Sequence, residues 1–533
     1  MISKRSFCHI FIIAWHLFVC QIAGTAGPYF DSIWPVEHGD PARHQFINKA
    51  GLNLNLNLTL TILTRGSYDL PVFPFTRKTN ELYLIGGTPS VTIAQGWIAK
   101  LDPDSLQTQV ITFLTNGSLT WSPSAVIHSN GFIYAVSSHY IYKLDSNLNI
   151  VNCKLLPGDP EGESNLLILN DGRLIAKGGH RVLGTRSSLV VLDPSDLSVL
   201  EEVILPELSR GRMSLYTFTN LECAYCIGET TVWRYAYDPV NCLTFDSNWS
   251  FNYMDKLPDS SYGNAPTFIG SNLYMMNNSD PLNFAANDPI YVFRINLSDA
   301  SNYDRFQPFP GITNGFSLSK MAADPTNNII FPMDSRNGFL GALRYTGGIP
   351  VFETLWIKQF KATGIFAGSI MDNEFYINHY DGFNDWFVVL DEFMGSEKAR
   401  IRTPSLKATY GALIMGFNKT AYYAGGGYIC KIFPVQRTNN DLTDPHGFNP
   451  LAGPNPYKSN GPFYFTGITQ GTKIRIYTIT GALITSLVEE DNDGVIIWDV
   501  RNSSGKDLAS GVYLCHIKSS SGQSKLMKIM VIR

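Results

Sequence analysis

The stretch SNGFIYAVS at 129–137 sets an Asn-Gly pair directly before a short aromatic and aliphatic run. Tight hairpins need a positive φ, which Asn and Gly supply at low steric cost, so the pair reads as a turn and the run as a strand. The same arrangement recurs as TNELYLIGG (79–87), NDGRLIAKGG (170–179), TNLECAYCIG (219–228), SNLYMMNN (271–278), TNNIIFPMD (326–334), DNEFYINHY (372–380) and FNKTAYYAGG (417–426). The eight strands start at intervals of 41 to 56 residues.

Each unit extends in both directions. Upstream lies a strand entered through small residues, as in SPSAVI (122–127), GNAPTFI (263–269) and TYGALIMG (409–416), which suits an innermost strand crowded around an axis. Downstream a third strand ends in Leu-Asp, as in HYIYKLDSN (139–147), SLVVLDPSD (188–196) and WFVVLDEFM (386–394), and a fourth follows the turn. Four antiparallel strands repeated at this period are the signature of a β-propeller blade. The last unit stops after its third strand, GYICKIFPV (427–435), while NLNLNLTLTILT (53–64) precedes the first unit without a partner. Pairing the two would leave no sheet edge open. The expected fold is therefore all-β, with an eight-bladed propeller over residues 55–435; seven blades is the alternative if one weak unit is an insertion. Regular Trp-Asp, kelch, sialidase Asp-box and tryptophan-docking signatures are absent, so the resemblance is to propellers as an architecture.

Composition agrees with a large β protein: aromatics are 13% and charged residues 16% of 533, with 45 Gly. A net charge of −4 without a Lys/Arg cluster argues against nucleic acid as a partner. The start, MISKRSFCHIFIIAWHLFVCQIAGTAG, has Lys4 and Arg5, a short apolar stretch and small residues up to Ala26, the pattern of a secretory signal peptide over 1–26. Six cysteines follow it, too few for a disulfide scaffold in so long a chain. Cys223-Ala-Tyr-Cys226 has the spacing of half a zinc site but sits in a strand pattern, and no metal site is expected.

Residues 27–54 form a lead-in to the propeller. Within it, WPVEHGDPARHQF (34–46) concentrates Glu37, His38, Asp40 and His44 and reads as a cap over the propeller rather than a metal site. After Val435 a polar, turn-rich linker covers 436–452, and residues 453–533 alternate again. There Pro454-Asn455-Pro456, Tyr477 in an Ile-x-Ile-Tyr strand, Gly481, Trp498, Gly505, Gly511 and Tyr513 occur in order before a basic-apolar closing strand. The three glycines fall where hairpin turns are needed. This segment resembles the C-terminal sorting domains of type IX secretion cargo and the related FlgD-like immunoglobulin-like β-sandwiches. The resemblance implies recognition by the type IX machinery after Sec export through the periplasm, with the protein secreted or held at the outer cell surface. The closing strand alternates Leu526, Lys528, Met530 and Ile532 with Met527, Ile529 and Val531, so apolar groups on both sides predict a strand that is largely buried or tightly paired.

The loops that join the fourth strand to the next blade, and the second to the third, are where a rigid scaffold presents binding residues. They carry His139, His180, Arg181, Arg212, Lys320, Asp334, Arg336, His379, Tyr380 and Asp381. A mouth lined by these could hold an anionic or sugar ligand, or a metal through His139, His180 and His379; as ordinary solvated loop residues they would hold nothing. No nucleophile motif, phosphate loop or paired-carboxylate motif stands out, so no catalytic residue or cofactor is assigned. The function expected is a glycan- or protein-binding module. The alternatives are an extracellular propeller enzyme, either a polysaccharide lyase or hydrolase or a quinoprotein-like oxidoreductase, and a structural surface component.

Overall fold

The computed structural model describes residues 27–533 apart from 48–50, 56–57, 67, 70, 89–94, 115–122, 158–162, 179–186, 210, 259–262, 278–288, 318–319, 361–367, 372, 383, 405–412, 437–449, 454, 459–462, 467 and 491–494. The signal-like stretch 1–26 and most of the expected linker lie outside the described residues.

Up to Gln436 the strands form antiparallel sheets built on consecutive stretches of chain, the arrangement of a β-propeller. The second sheet is typical. Ser124–Ile127, Ile133–Ser137 and Tyr140–Leu144 are buried almost throughout, and only Ile150–Leu155 faces solvent. Burial on both faces explains why the inner strands read as continuous apolar runs instead of alternating. Neighbouring sheets interlock through shared cores. One core joins Ile175 and Val190 to Ala224 and Tyr235, and another joins Ile330 and Leu343 to Phe375 and Val388.

The repeated turns do what their residues suggested. Gly131 (φ 89°), Gly172 (φ 92°), Asn220 (φ 66°), Asn328 (φ 58°) and Asn373 (φ 63°) all take the left-handed conformation that turns the first strand into the second. The Leu-Asp motif has a second purpose. Asp102, Asp145, Asp193 and Asp391 each accept backbone N–H groups of the following turn, for example Ser105 at 2.7 Å and Asn147 at 2.8 Å. Each turn ends on a left-handed residue, which is Leu106 (φ 57°), Leu148 (φ 63°), Leu197 (φ 63°) or Gly395 (φ 64°). A non-glycine residue there costs about 1–3 kcal/mol. The three leucines are essentially fully buried, and burial of a Leu side chain returns roughly 1.5–3 kcal/mol. The strain is offset by packing at the same residue.

In the sixth sheet the second strand is broken, Ile329–Phe331 then Met333–Asp334, because Pro332 lacks the N–H a ladder needs. Cys223 and Cys226 lie three apart on Leu221–Ile227 and therefore point to opposite faces, into two different cores. They cannot share a metal.

The strand left over at the start finds its place. Leu58–Gly66 pairs with Tyr428–Gln436 over nine positions, from Leu58 opposite Gln436 to Gly66 opposite Tyr428. The sheet order is then Leu413–Met415, Ala421–Gly425, Tyr428–Gln436 and Leu58–Gly66. Phe73 and Phe75 of the first sheet share a core with Tyr423 and Ile429 of this last one.

The C-terminal segment has its own core, in which Phe463, Trp498, Ile474, Cys515 and Ile529 meet between two sheets. Its first strand, Leu451–Gly453, begins inside the stretch read as linker. The opening motif and the last strand are tied together. The Asn455 side chain accepts from Met530 N at 2.9 Å and donates to Lys528 O at 2.9 Å. Tyr457 N donates to Met530 O at 2.7 Å, and Ile532 N donates to Tyr457 O at 2.8 Å. One expectation needs correction. Gly481 (φ 87°) and Gly505 (φ 74°) are turn residues, but Gly511 has no positive φ and opens the strand Gly511–Lys518. The closing strand Ser524–Val531 pairs with Gly511–Lys518 over eight positions and buries one side; Ile529 and Val531 are covered, while Leu526 and Met530 on the other side are exposed.

Deleting residues 51–65 should strip the outer ladder from Tyr428–Gln436 and leave a long unpaired edge. The truncated chain is expected to associate on size-exclusion chromatography and to melt roughly 10 °C or more below the parent. A monomer with the parent's melting curve would show that the ladder is dispensable.

Candidate functional site

The lead-in is not a lid over the sheets; it runs along their innermost strands. Thr76 N donates to Trp34 O at 3.0 Å in the first sheet, and Phe30 N donates to Ile127 O at 2.9 Å in the second. Ile168 N reaches the Tyr29 hydroxyl at 2.9 Å in the third. Leu215 N donates to Pro41 O at 2.8 Å in the fourth, and His44 Nε2 meets Phe268 O at 2.7 Å in the fifth. In the sixth, Ala323 N donates to His44 O at 2.9 Å, and in the seventh Ile370 N donates to Gln45 O at 2.8 Å. Phe46–Ile47 then continues as a strand parallel to Gly368–Met371. These are inner-edge groups that no further strand can satisfy, so the lead-in answers a hydrogen-bonding need as well as filling space.

Threading brings its charged residues to loops far away in sequence. Glu37 is buried and accepts from Arg43 Nη1 through Oε2 and from Arg212 Nη2 through Oε1, both at 3.2 Å. Arg43 Nε also donates to Met213 O at 2.6 Å. Burial pushes the Glu37 carboxyl up, but Arg212 and Arg43 outweigh it and hold it below the usual carboxylate range. Lys320, buried before the strand Ala322–Asp324, has its amine pushed well down by burial and then by the Arg43 charge. Burial, followed by the Lys320, Arg43 and Arg212 charges, keeps His38 neutral. His44 behaves oppositely. Burial disfavours its charge, yet Asp40 at 2.7 Å and the Phe268 carbonyl occupy both ring nitrogens and raise it.

Of the ten candidate loop residues, Arg212 and Lys320 therefore join this cluster. Others are structural. Asp334 is buried and folds its own turn, accepting from Phe316 N, Arg336 N and Asn337 N at 3.0–3.2 Å. Arg336 donates to Asn314 O at 3.2 Å. His379 packs on Phe360 with ring centres 4.7 Å apart, and burial pushes it down to about 4. The Tyr380 hydroxyl donates to Gly382 O, and Asp381 accepts from Trp386 Nε1, both at 2.7 Å. His139 sits in the hairpin before Tyr140–Leu144 of the second sheet, whereas His379 belongs to the seventh. His180 and Arg181 lie outside the described residues. Among the described residues no group of three or more His, Cys, Asp and Glu could hold a metal ion. The sequence singled out Glu37, His38, Asp40 and His44 but passed over Arg43, which lies in the same short stretch, and the bond of Glu37 to Arg212.

A second buried carboxyl lies between sheets. Glu392 is fully buried beside Asp324, and burial followed by that neighbour pushes it up to about 9.

Replacing Glu37 with Ala takes the carboxylate from the buried Arg43 and the half-buried Arg212 and should cost about 3–5 kcal/mol. Asp104→Ala removes only the exposed partner of Lys431 and should cost less than about 1 kcal/mol. Chemical denaturation of both variants checks this contrast. The Glu37 contribution is present above about pH 4.3 and is lost as pH falls through its lowered pKa. Glu392 has the opposite sign: the native chain keeps a proton that the unfolded chain releases, so stability declines between about pH 4.3 and 9. Glu392→Gln should flatten that decline, and equal slopes for variant and parent in denaturation at pH 5, 7 and 9 would contradict it.

No family model matches this chain, and neither does any curated protein sequence. Solved structures do. The quinohemoprotein alcohol dehydrogenase of Comamonas testosteroni is similar with a TM-score of 0.52 at 9% identity, over 75% of this chain and 80% of that one. A europium-containing methanol dehydrogenase gives 0.50 at 12%, over 74% and 89%. PorZ, a surface component of the type IX secretion system of Porphyromonas gingivalis, aligns over 87% of this chain and 81% of its own at 12% identity, with a TM-score of only 0.27. At such identities the likeness is one of fold: the chain shares the β-propeller architecture.

Proposed function

We propose that the chain is an exported eight-bladed β-propeller that binds an extracellular glycan or protein and leaves the cell through its C-terminal domain. The observation that carries the binding reading is the path of the lead-in. Residues 29–47 bond the innermost strands of seven successive sheets, so the chain's own side chains occupy the place where an axial enzyme would seat its substrate. Arg212 and Lys320, which an enzyme mouth would need open, are drawn in against Glu37 and Arg43. This weighs against the lyase, hydrolase and quinoprotein-like alternatives. It favours recognition on the outer loops, as a scaffold presents them.

Eight blades are supported by the nine-position ladder of Leu58–Gly66 on Tyr428–Gln436 and by the core that the first and last sheets share. The export reading rests on the signal-like start, on the resemblance of residues 453–533 to type IX sorting domains, and on the Asn455–Met530 tie. A domain recognised as a folded tag needs ordered ends, and that tie orders both. On this reading the protein passes through the periplasm, meets the type IX machinery, and reaches the surface or the medium.

A chain ending at Ser524 loses the last strand, and with it the partners of Asn455 and the Ile529 and Val531 side chains. A domain this small has little stability to spare. In a type IX-competent host the truncated protein should accumulate in the periplasm with its propeller folded. Equal surface or medium levels for both chains on fractionation would reduce the domain to a spacer. A glycan screen by thermal shift on the full chain tests binding, since a tight ligand raises the melting point by mass action. A screen with no hit would favour the protein-ligand or structural reading.

A further inference from the structure

The cluster around Glu37 holds more hydrogen-bond donors than it can satisfy. Arg43 is 0% exposed; its Nε is bonded to Met213 O and its Nη1 to Glu37, but among the described residues Nη2 is buried with no hydrogen-bond partner. Leaving a buried donor unpaired is costly, and more so on a charged group. Lys320 is 7% exposed, and among the described residues its amine reaches the neighbouring Met321 carbonyl at 3.5 Å. Both acceptors that could answer these cations are already committed. Glu37 gives one oxygen to Arg43 and the other to Arg212, and Asp40 is engaged by His44. His38 is no acceptor to spare, since its Nδ1 is taken by the Gln45 side chain. Among the described residues, Arg43, Arg212 and Lys320 thus lie near two carboxylates, Glu37 and Asp40, that are both engaged.

We propose that a small inorganic oxyanion, phosphate or sulfate, binds in this axial cluster against Arg43 Nη2 and the Lys320 amine. A guanidinium edge and an ammonium group together suit an oxyanion, which brings several acceptors and a negative charge at once. A water molecule would satisfy the donor but leave the repulsion between the cations untouched. The surroundings are closed, with the Arg212 side chain 17% exposed and Glu37 7%, so the ligand is a free ion and not a group on a large molecule. The site rests on the buried, unpartnered Arg43 Nη2 and on the nearby charge of buried Lys320, and is independent of the export and glycan readings.

The test is thermal unfolding of the chain from residue 27 onward, titrated with sodium phosphate or sodium sulfate against sodium chloride at equal ionic strength. Specific binding raises the melting point by several degrees in the low millimolar range, growing with the logarithm of concentration above Kd. General salting-out by these ions acts at far higher concentration. Lys320→Met should abolish the millimolar increment, whereas Lys431→Met, on the outer ladder, should keep it. Calorimetric titration of the unaltered chain with phosphate and sulfate decides the matter if the Lys320 variant does not fold. Identical melting points in all three salts with no heat of binding, or an increment that survives Lys320→Met, would overturn the proposal.

Discussion

The ladder between Leu58–Gly66 and Tyr428–Gln436 is the constraint on which the rest depends. It joins residues more than three hundred positions apart, so it can form only after the intervening sheets have stacked. Loop-closure entropy grows slowly with length, but it must be met before the ladder contributes anything. Once formed, nine consecutive pairs cover the open edge of Tyr428–Gln436, a strand that would otherwise template pairing with another chain. The same segment of chain that supplies this outer strand has already passed along the inner strands. One stretch near the start therefore serves the first seven sheets at their inner edge and the last sheet at its outer edge.

This arrangement gives the interior its electrostatic character. The lead-in carries Glu37, Asp40, Arg43 and His44 to where water is scarce, and each must find its partner there. Glu37 with two arginines, and Asp40 with His44, are the result. Such pairs are poor sources of net stability compared with apolar packing, since desolvation consumes most of the attraction. Their value is positional. A shift of the lead-in by one residue would break the contacts of Glu37 with Arg212, of Arg43 with the Met213 carbonyl and of His44 with the Phe268 carbonyl at once, so these contacts fix its register against the sheets.

Much of the fold was legible because local chemistry repeats. A positive φ favours Asn or Gly, and these residues stand at the turn of unit after unit, as at Gly131, Gly172, Asn328 and Asn373. The Leu-Asp ending was visible for a reason that the structure makes plain: the Asp carboxylate holds the turn while a left-handed Leu anchors it. The cluster around Glu37 was legible only in half. Glu37, His38, Asp40 and His44 lie close together in sequence, but Arg212 and Lys320 reach them only through the threading of the lead-in. The loop reading could not tell which side chains turn inward. Asp334 and His379 were drawn as binding candidates and are buried, because they lie on strands whose consecutive residues are covered on both faces. In the last strand apolar residues on both sides go with tight pairing to Gly511–Lys518 and burial of one side, with Leu526 and Met530 exposed on the other.

The central claim is that the lead-in is an integral part of the ring, laid against the innermost strands in one register. Native-state hydrogen exchange measures it most directly, at the amides of Leu215, Ala323 and Ile370, which donate to Pro41, His44 and Gln45. If the lead-in is integral, these amides and those of Leu58–Gly66 exchange only with global unfolding, at the same free energy as the buried ladder of Ile133–Ser137. Fast exchange at Leu215, Ala323 and Ile370 while Ile133–Ser137 stays protected would show a lead-in that detaches, and would contradict the account.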